Sequence, residues 1–351
     1  MADERMRIAV GQFNEMTDEK LQFAAQIGVS GVQMNLLGAP HVRDKTHYEY
    51  DYLAGLVAKA QEWGLTFEAI ENVPHHWLDK VMLGQPGRDE QLAAYCEGIR
   101  NMGRAGIPIL GYHFMPNSVW TTSHEQGRGG ARVRVFDMAK VEALPALEQR
   151  QFSPMRTSVV GETMFAETVA NPVTAAQMWA NYEYFLRAVL PVAEAAGVRL
   201  ALHPDDPPVA ELGGVARIFW NPDGFKRGYE LANGSPAWGL DLCLGCCSEM
   251  AGGAANVREM IEFFGPKGRI FYIHFRDVKG SVPMFAECFI GEGNYNAAQT
   301  MRLLKTSGFT GFLLDDHVPG MVGDEGWNYR GRAHAVGYMQ GLLDSIEADE
   351  Q

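Results

Sequence analysis

The sequence predicts a (β/α)8 barrel, the TIM-barrel architecture, and three observations carry that expectation. Eight short apolar runs alternate with helix-period segments along the chain. Glycine follows several helical segments just before the next run, at Gly28, Gly64, Gly106, Gly197 and Gly308, where a left-handed stop is wanted. No glycine-rich phosphate loop follows the first run, which sets aside a doubly wound open sheet.

The strands are expected at 6–11, 31–36, 65–71, 107–114, 198–203, 238–243, 270–275 and 311–316. Each is a short apolar run of strand length. The helices between them are expected at 18–27, 50–63, 89–103, 173–196, 223–232, 255–264 and 297–307, with a last one at 333–346 closing the chain. The whole of 1–351 then reads as one barrel domain. The connection from about 117 to 172, after strand four, is far longer than an ordinary βα loop and is expected to form a lid or an oligomer contact. Its Gly127-Arg128-Gly129-Gly130 is expected to be a loop. The same insertion carries Arg128, Arg132, Arg134, Arg150 and Arg156, a cluster of cations in an acidic protein.

The 351 residues are 46% hydrophobic, enough to bury a sizeable core, and 21% charged. A formal net charge of -13 repels phosphate backbones, so no nucleic-acid partner is expected. An anionic small molecule would need local cations or a metal inside its site. The five cysteines are odd in number and scattered, and Cys243-Leu244-Gly245-Cys246 has no partner pair, so a reducing compartment is expected. The start, Met1 to Arg5, has no apolar leader core, and no run of 18 apolar residues occurs. The expectation is a cytoplasmic protein with no membrane partner.

Catalytic groups of such barrels sit at the C-terminal ends of the strands. Those ends carry Glu71 with Asn72, His113, His203 with Asp205, Cys243, His274 with Arg276, and Asp316 with His317. The most informative is His203-Pro204-Asp205-Asp206-Pro207-Pro208. Its three prolines forbid further ladder pairing and stiffen the turn that holds the imidazole and carboxylates. His203, Cys243, His274 and Asp316 come from four consecutive strands, so they are expected to converge on one divalent first-row metal. Thiolate and imidazoles suit Zn2+, and a carboxylate with open water positions suits Mn2+ or Fe2+. His75 and His76 follow strand three beside Lys80, and one of the two is expected to face a substrate. His317, next to a proposed ligand, is placed to carry a proton.

These motifs resemble the D-mannonate dehydratases, in the xylose-isomerase-like group of barrels. The likeness rests on Glu71-Asn72-Val73-Pro74-His75-His76 with Lys80, and on Tyr112-His113-Phe114-Met115-Pro116 with Trp120. It continues through His203 to Pro208, Leu242-Cys243-Leu244-Gly245 and Asp316-His317. The resemblance implies loss of water from a six-carbon sugar acid, D-mannonate, to give 2-keto-3-deoxy-D-gluconate. It implies a Mn2+ site made of His203, Cys243, His274 and Asp316, with Fe2+, Co2+ or Zn2+ as alternative ions. It also implies His317 as the acid/base group. Glu71, His76, Lys80, His113, Trp120, Asp205 and Arg276 are then the expected substrate contacts, with Arg276 as a carboxylate clamp.

The chain departs from the resembled pattern at several positions. Ala333 stands where the family has a tyrosine on the loop entering the last helix, and Tyr329, four residues earlier, is the expected replacement. His113 stands for an asparagine, Thr122 for an arginine, and the segment 285–293 differs from the expected sequence. The metal set is kept while proton-transfer and substrate positions change. Two alternatives therefore stand beside the dehydratase: a sugar or sugar-acid isomerase or epimerase on the same barrel, and a non-catalytic sugar-acid-binding homologue. A homodimer is expected, because two-fold pairing is the commonest oligomer symmetry.

Overall fold

Eight parallel strands close on themselves in a computed structural model that describes residues 5–37 and 39–348. Met1 to Glu4, most of the start read for a leader, lie outside the described residues. The strands are β1 (Arg7–Phe13), β2 (Gly31–Asn35), β3 (Thr66–Glu71), β4 (Ile109–Tyr112), β5 (Arg199–Leu202), β6 (Trp238–Cys243), β7 (Ile270–His274) and β8 (Phe312–Leu314). Each pairs with its sequence neighbour, and β1 pairs with β8 to close the ring. All eight expected strands are present, trimmed by a residue or two at most ends.

Alternation along the strands builds two apolar clusters. Ile8 and Val10 pack outward with the helices, whereas Ala9 joins Ala69, Ala201, Tyr272, Phe312 and Leu314 inside the barrel. Glycine opens room for polar groups above that layer. A Cβ on Gly111 would strike the Tyr272 hydroxyl and come within 3.0 Å of Glu71 Cγ.

The helices start where their caps dictate. Thr174 and Gln177 form a reciprocal capping box at the head of Ala175–Ala196. Asn221 caps Pro222–Leu231, with proline at the first helical position. Gly106 and Gly197 end their helices at φ +80° and +68°. The last helix begins earlier than expected, running Tyr329–Ala348, so Ala333 lies inside it rather than on a loop. Among the described residues no helix is long and apolar enough to cross a membrane.

The insertion is more ordered than the sequence suggested. Ser123–Gln126 and Arg132–Asp137 form an antiparallel hairpin, and Gly127 to Gly130 make its turn. A second hairpin, Asp277–Ser281 with Met284–Cys288, leaves the end of β7 and pairs edge to edge with the first. The result is a four-stranded sheet with its own core of Trp120, Phe136, Phe165, Val278 and Phe285. The buried Arg217 ties the base of this lid to the turn after β5. Its guanidinium donates to the carbonyls of Ser118 (2.6 Å), Asp206 (3.1 Å) and Pro207 (3.3 Å).

Candidate metal centre and active site

Four of the strand-end side chains meet. One ligand atom each from His203, Cys243, His274 and Asp316 lies within 4.8 Å of the others, and all four residues are buried. The backbone at these ends is specialised. Gln12, Asn72 and Asp316 hold left-handed φ values of 62°, 63° and 47° without being glycine, as the backbone of functional sites often does.

Each ligand is aimed by neighbours. His203 Nδ1 lies 2.6 Å from the Pro204 carbonyl, leaving Nε2 for the centre. His274 Nε2 lies 3.0 Å from Glu71 and 3.5 Å from Asp241, and its Nδ1 faces Asp316 Oδ2 at 3.5 Å. Both ring nitrogens are buried without a hydrogen bond of good geometry, as expected of a ligand that a cation would satisfy. Gln12 Nε2 bridges Glu71 (2.8 Å) and Asp316 (3.0 Å), and Gln33 Nε2 holds Glu71 at 2.5 Å.

The electrostatics also suit a cation. Burial works against the Cys243 thiolate, yet the Cys246 hydrogen bond and the Arg276 charge hold its pKa well below the ordinary thiol value. Burial likewise works against Asp316, but His317 and His274 keep it below the usual carboxylate range. Burial pulls His203 down, whereas Cys243 and Asp241 outweigh it and raise the imidazole to about 10. Without metal the site therefore holds protons that a cation would displace. Imidazole, thiolate and carboxylate donors at this spacing fit a first-row divalent ion.

Above the ligands lies a cavity of about 730 Å3, roofed by the lid. Glu71, His113, His203, Asp316 and His317 line it. His113 hydrogen-bonds the Asn72 side chain, and burial beside His203 and His274 drives its pKa well below the ordinary value. His317 Nδ1 sits 3.1 Å from Glu287 Oε1 and 2.6 Å from Arg134 Nη1. Burial opposes the Glu287 charge, but Arg134 and His317 hold its pKa down to about 2.

Several expected contacts lie elsewhere. Arg276 is sealed beneath the site rather than open as a clamp. Its donors reach Asp316, Glu249, Asp206 and Cys246 Sγ, all buried. Asp205 turns inward to accept from the Phe219 amide (2.7 Å), and its neighbour Asp206 faces the cavity. His75 lines the cavity, whereas His76 is exposed, with Nε2 3.3 Å from the Lys45 carbonyl. Lys80 is exposed and packs beside Gly87. Trp120 is fully buried in the lid core, donating to the Asn117 carbonyl. Tyr329 packs its ring on Phe23 and Trp327 and borders a neighbouring depression that, among the described residues, shares Gln12 and Asn35 with the main cavity. Cys243 ends β6 and also caps the short helix Leu244–Glu249, so its C-x-x-C begins a helix.

Sequence reasoning missed Gln12, Gln33 and Glu287, and chose Asp205 over Asp206 as the substrate contact. It had noted the arginines of the insertion without placing them. Arg132, Arg134 and Arg156 all reach the cavity wall.

Comparison with known proteins agrees with this geometry. A family model described as D-mannonate dehydratase (UxuA) matches residues 6–351. Mannonate dehydratase 2 of Halalkalibacterium halodurans (strain C-125) is 28% identical over 358 residues, covering 98% of this chain and 100% of that protein. The mannonate dehydratase of Streptococcus pneumoniae (strain 70585) is 32% identical over 298 residues, 81% of this chain and 79% of that one. The crystal structure of mannonate dehydratase from Streptococcus suis serotype 2 superposes with a TM-score of 0.84 at 26% identity, covering 97% of this chain and 95% of that chain. The chain belongs to the D-mannonate dehydratase family of hydro-lyases.

Proposed function

We propose that this chain carries out its family's reaction, D-mannonate to 2-keto-3-deoxy-D-gluconate, with a manganese ion held by His203, Cys243, His274 and Asp316. The carrying observation is the convergence of those four ligand atoms within 4.8 Å, with His317 in the wall of the same cavity. The substrate's C2 proton lies beside a carboxylate and is not acidic. Bound among these donors, the cation supplies Lewis-acid stabilisation of the negative charge that develops on substrate oxygens.

The chain's own residues do the rest. His317 moves protons: one leaves C2 and one reaches the departing C3 hydroxyl, which exits as water. The C2–H and C3–O bonds break, and the resulting enol tautomerises to the 2-keto acid. Glu287 orients His317 through Nδ1, and Glu71 and Gln12 hold His274 and Asp316 in place. The lid sheet limits water.

Five buried free cysteines support a cytoplasmic setting, and the family's reaction suggests a place in hexuronate breakdown. We also propose a homodimer paired through the insertion, where Leu147, Val159 and Val160 are 54%, 80% and 45% exposed. Light scattering on the purified protein tests that pairing, and a monomer mass rejects it.

The function is tested by offering manganese-loaded protein a panel of hexonates and hexuronates. Formation of a 2-keto-3-deoxy acid from D-mannonate, abolished by chelator and restored by Mn2+, is the expected result. An interconverted sugar acid without keto acid would instead identify an isomerase. Binding with no product would identify a non-catalytic homologue.

A further inference from the structure

The cavity poses an electrostatic problem. Its wall carries Glu71, Asp206 and Asp316, Glu287 stands against His317, and the chain's net charge is -13. An aldonate must nevertheless bring a carboxylate into it. Arg276 has no free face, because its guanidinium is 3% exposed and engaged by Asp316, Glu249 and Asp206. Among the described residues no lysine lines the wall, and its fixed cations are Arg132, Arg134 and Arg156. Arg132 and Arg156 are exposed, whereas the Arg134 side chain is only 23% exposed.

Arg134 is also held in place. Its strand pairs with Met284–Cys288 on one side and Ser123–Gln126 on the other. Its Nε donates to Thr121 Oγ1 at 3.1 Å, and its Nη1 pairs with Glu287 at 3.4 Å. Its Nη2 makes no hydrogen bond among the described residues, and Asp206 Oδ2 stands 3.9 Å away. A guanidinium fixed at one edge and open at the other is suited to receive a carboxylate.

We propose that Arg134 is the specificity-determining residue that receives the substrate carboxylate, so that the lid, rather than the barrel, selects sugar acids over neutral sugars. This rests on the sugar-acid reading above. It differs from that reading in assigning the anion to one lid side chain.

The test is binding by calorimetry to manganese-loaded protein in a His317→Gln background, where turnover does not interfere. Arg134→Met is expected to weaken D-mannonate by about 10- to 100-fold, the loss of one charged hydrogen-bonded pair. Binding of the neutral polyol D-mannitol should change less than about threefold, and manganese stoichiometry should be unchanged. D-mannonate binding within threefold of the parent, or equal weakening of both ligands, would overturn the proposal. If Arg134→Met does not fold, Arg134→Gln carries the same expectation. If the parent turns over a different aldonate and not D-mannonate, the substrate reading fails. The contrast between that aldonate and its neutral polyol then still decides the role of Arg134.

Discussion

Arg276 Nε donates to Asp316 Oδ2 across 3.1 Å, tying the carboxylate after β8 to a buried acid cluster behind β6 and β7. Nη1 of the same guanidinium reaches Glu249 at 2.7 Å, and Nη2 reaches Asp206 at 3.4 Å and Cys246 Sγ at 3.0 Å. One cation therefore orients a candidate metal ligand while compensating several buried acids.

Removing that cation should be costly twice over. Arg276→Met leaves Glu249 buried without a counter-charge and Asp206 with only Arg134, 3.9 Å away, and breaking such a buried pair costs about 3–5 kcal/mol. It also frees Asp316 to rotate. We expect a much lower denaturant midpoint and weaker manganese binding, both only partly rescued by Arg276→Lys, which lacks the fork. Urea unfolding and a manganese titration check this. A variant as stable as the parent would contradict the assignment.

Glu249 should make the metal-free protein less stable as pH rises. Its carboxylate is fully buried, and a single guanidinium serves several acids there, so burial outweighs Arg276 and raises its pKa to about 8. The folded state thus binds this proton more tightly than the unfolded chain does. The stabilisation is complete below about pH 4.5, the ordinary value, and is lost as pH climbs toward about 8. Glu249→Gln copies the protonated acid and should flatten that slope. Melting curves with chelator between pH 5 and 8.5 would show it, and parallel slopes for the two proteins would refute it.

The barrel and the candidate metal-binding cluster at its strand ends were readable because each depends on local pattern. An apolar run ending in His203, Cys243, His274 or Asp316 is visible without knowing any partner. Pairing between distant segments is not. Arg132–Asp137 joins Met284–Cys288 across about half the chain, so the lid sheet, and Glu287 within it, looked like irregular sequence and a departure from the resembled pattern. Rotation about a single turn is equally hidden, since nothing local told which of His75 and His76 faces inward, or that Asp206 rather than Asp205 does. Trp120 matched a motif yet serves packing, because its neighbours Phe136 and Phe165 arrive from elsewhere in the insertion. Gln12 and Gln33 carry no sequence signal of their own. Their role appears only when the barrel closes around Glu71.

His317 and Glu287 should separate chemistry from positioning. His317→Gln removes the proton carrier, and kcat should fall by about 100- to 10,000-fold with manganese binding retained. Glu287→Gln keeps His317 but loses the carboxylate at Nδ1, so kcat should fall less and KM should change little. The same variant has a stability signature. With its pKa lowered to about 2, Glu287 stabilises the fold above about pH 4.5, and that contribution is lost as pH falls toward 2. Steady-state kinetics and an acid titration check the pair. Undiminished kcat in His317→Gln would remove the residue from the reaction.

Cys243 should decide which cation the site prefers. Its thiolate is the one soft donor among two imidazoles and a carboxylate, and its low pKa keeps it ready to bind at neutral pH. Cys243→Ser replaces it with a harder, protonated oxygen of similar size. Affinity for Zn2+, which gains most from sulfur, should then drop more than affinity for Mn2+, shifting their ratio on the order of tenfold. The serine hydroxyl can still accept from the Cys246 amide as an N-cap, so stability should change little. Competition titrations of both ions against a chelating dye measure the ratio. If it stays at the parent value, Cys243 is not among the donors, and the four-residue centre reduces to His203, His274 and Asp316.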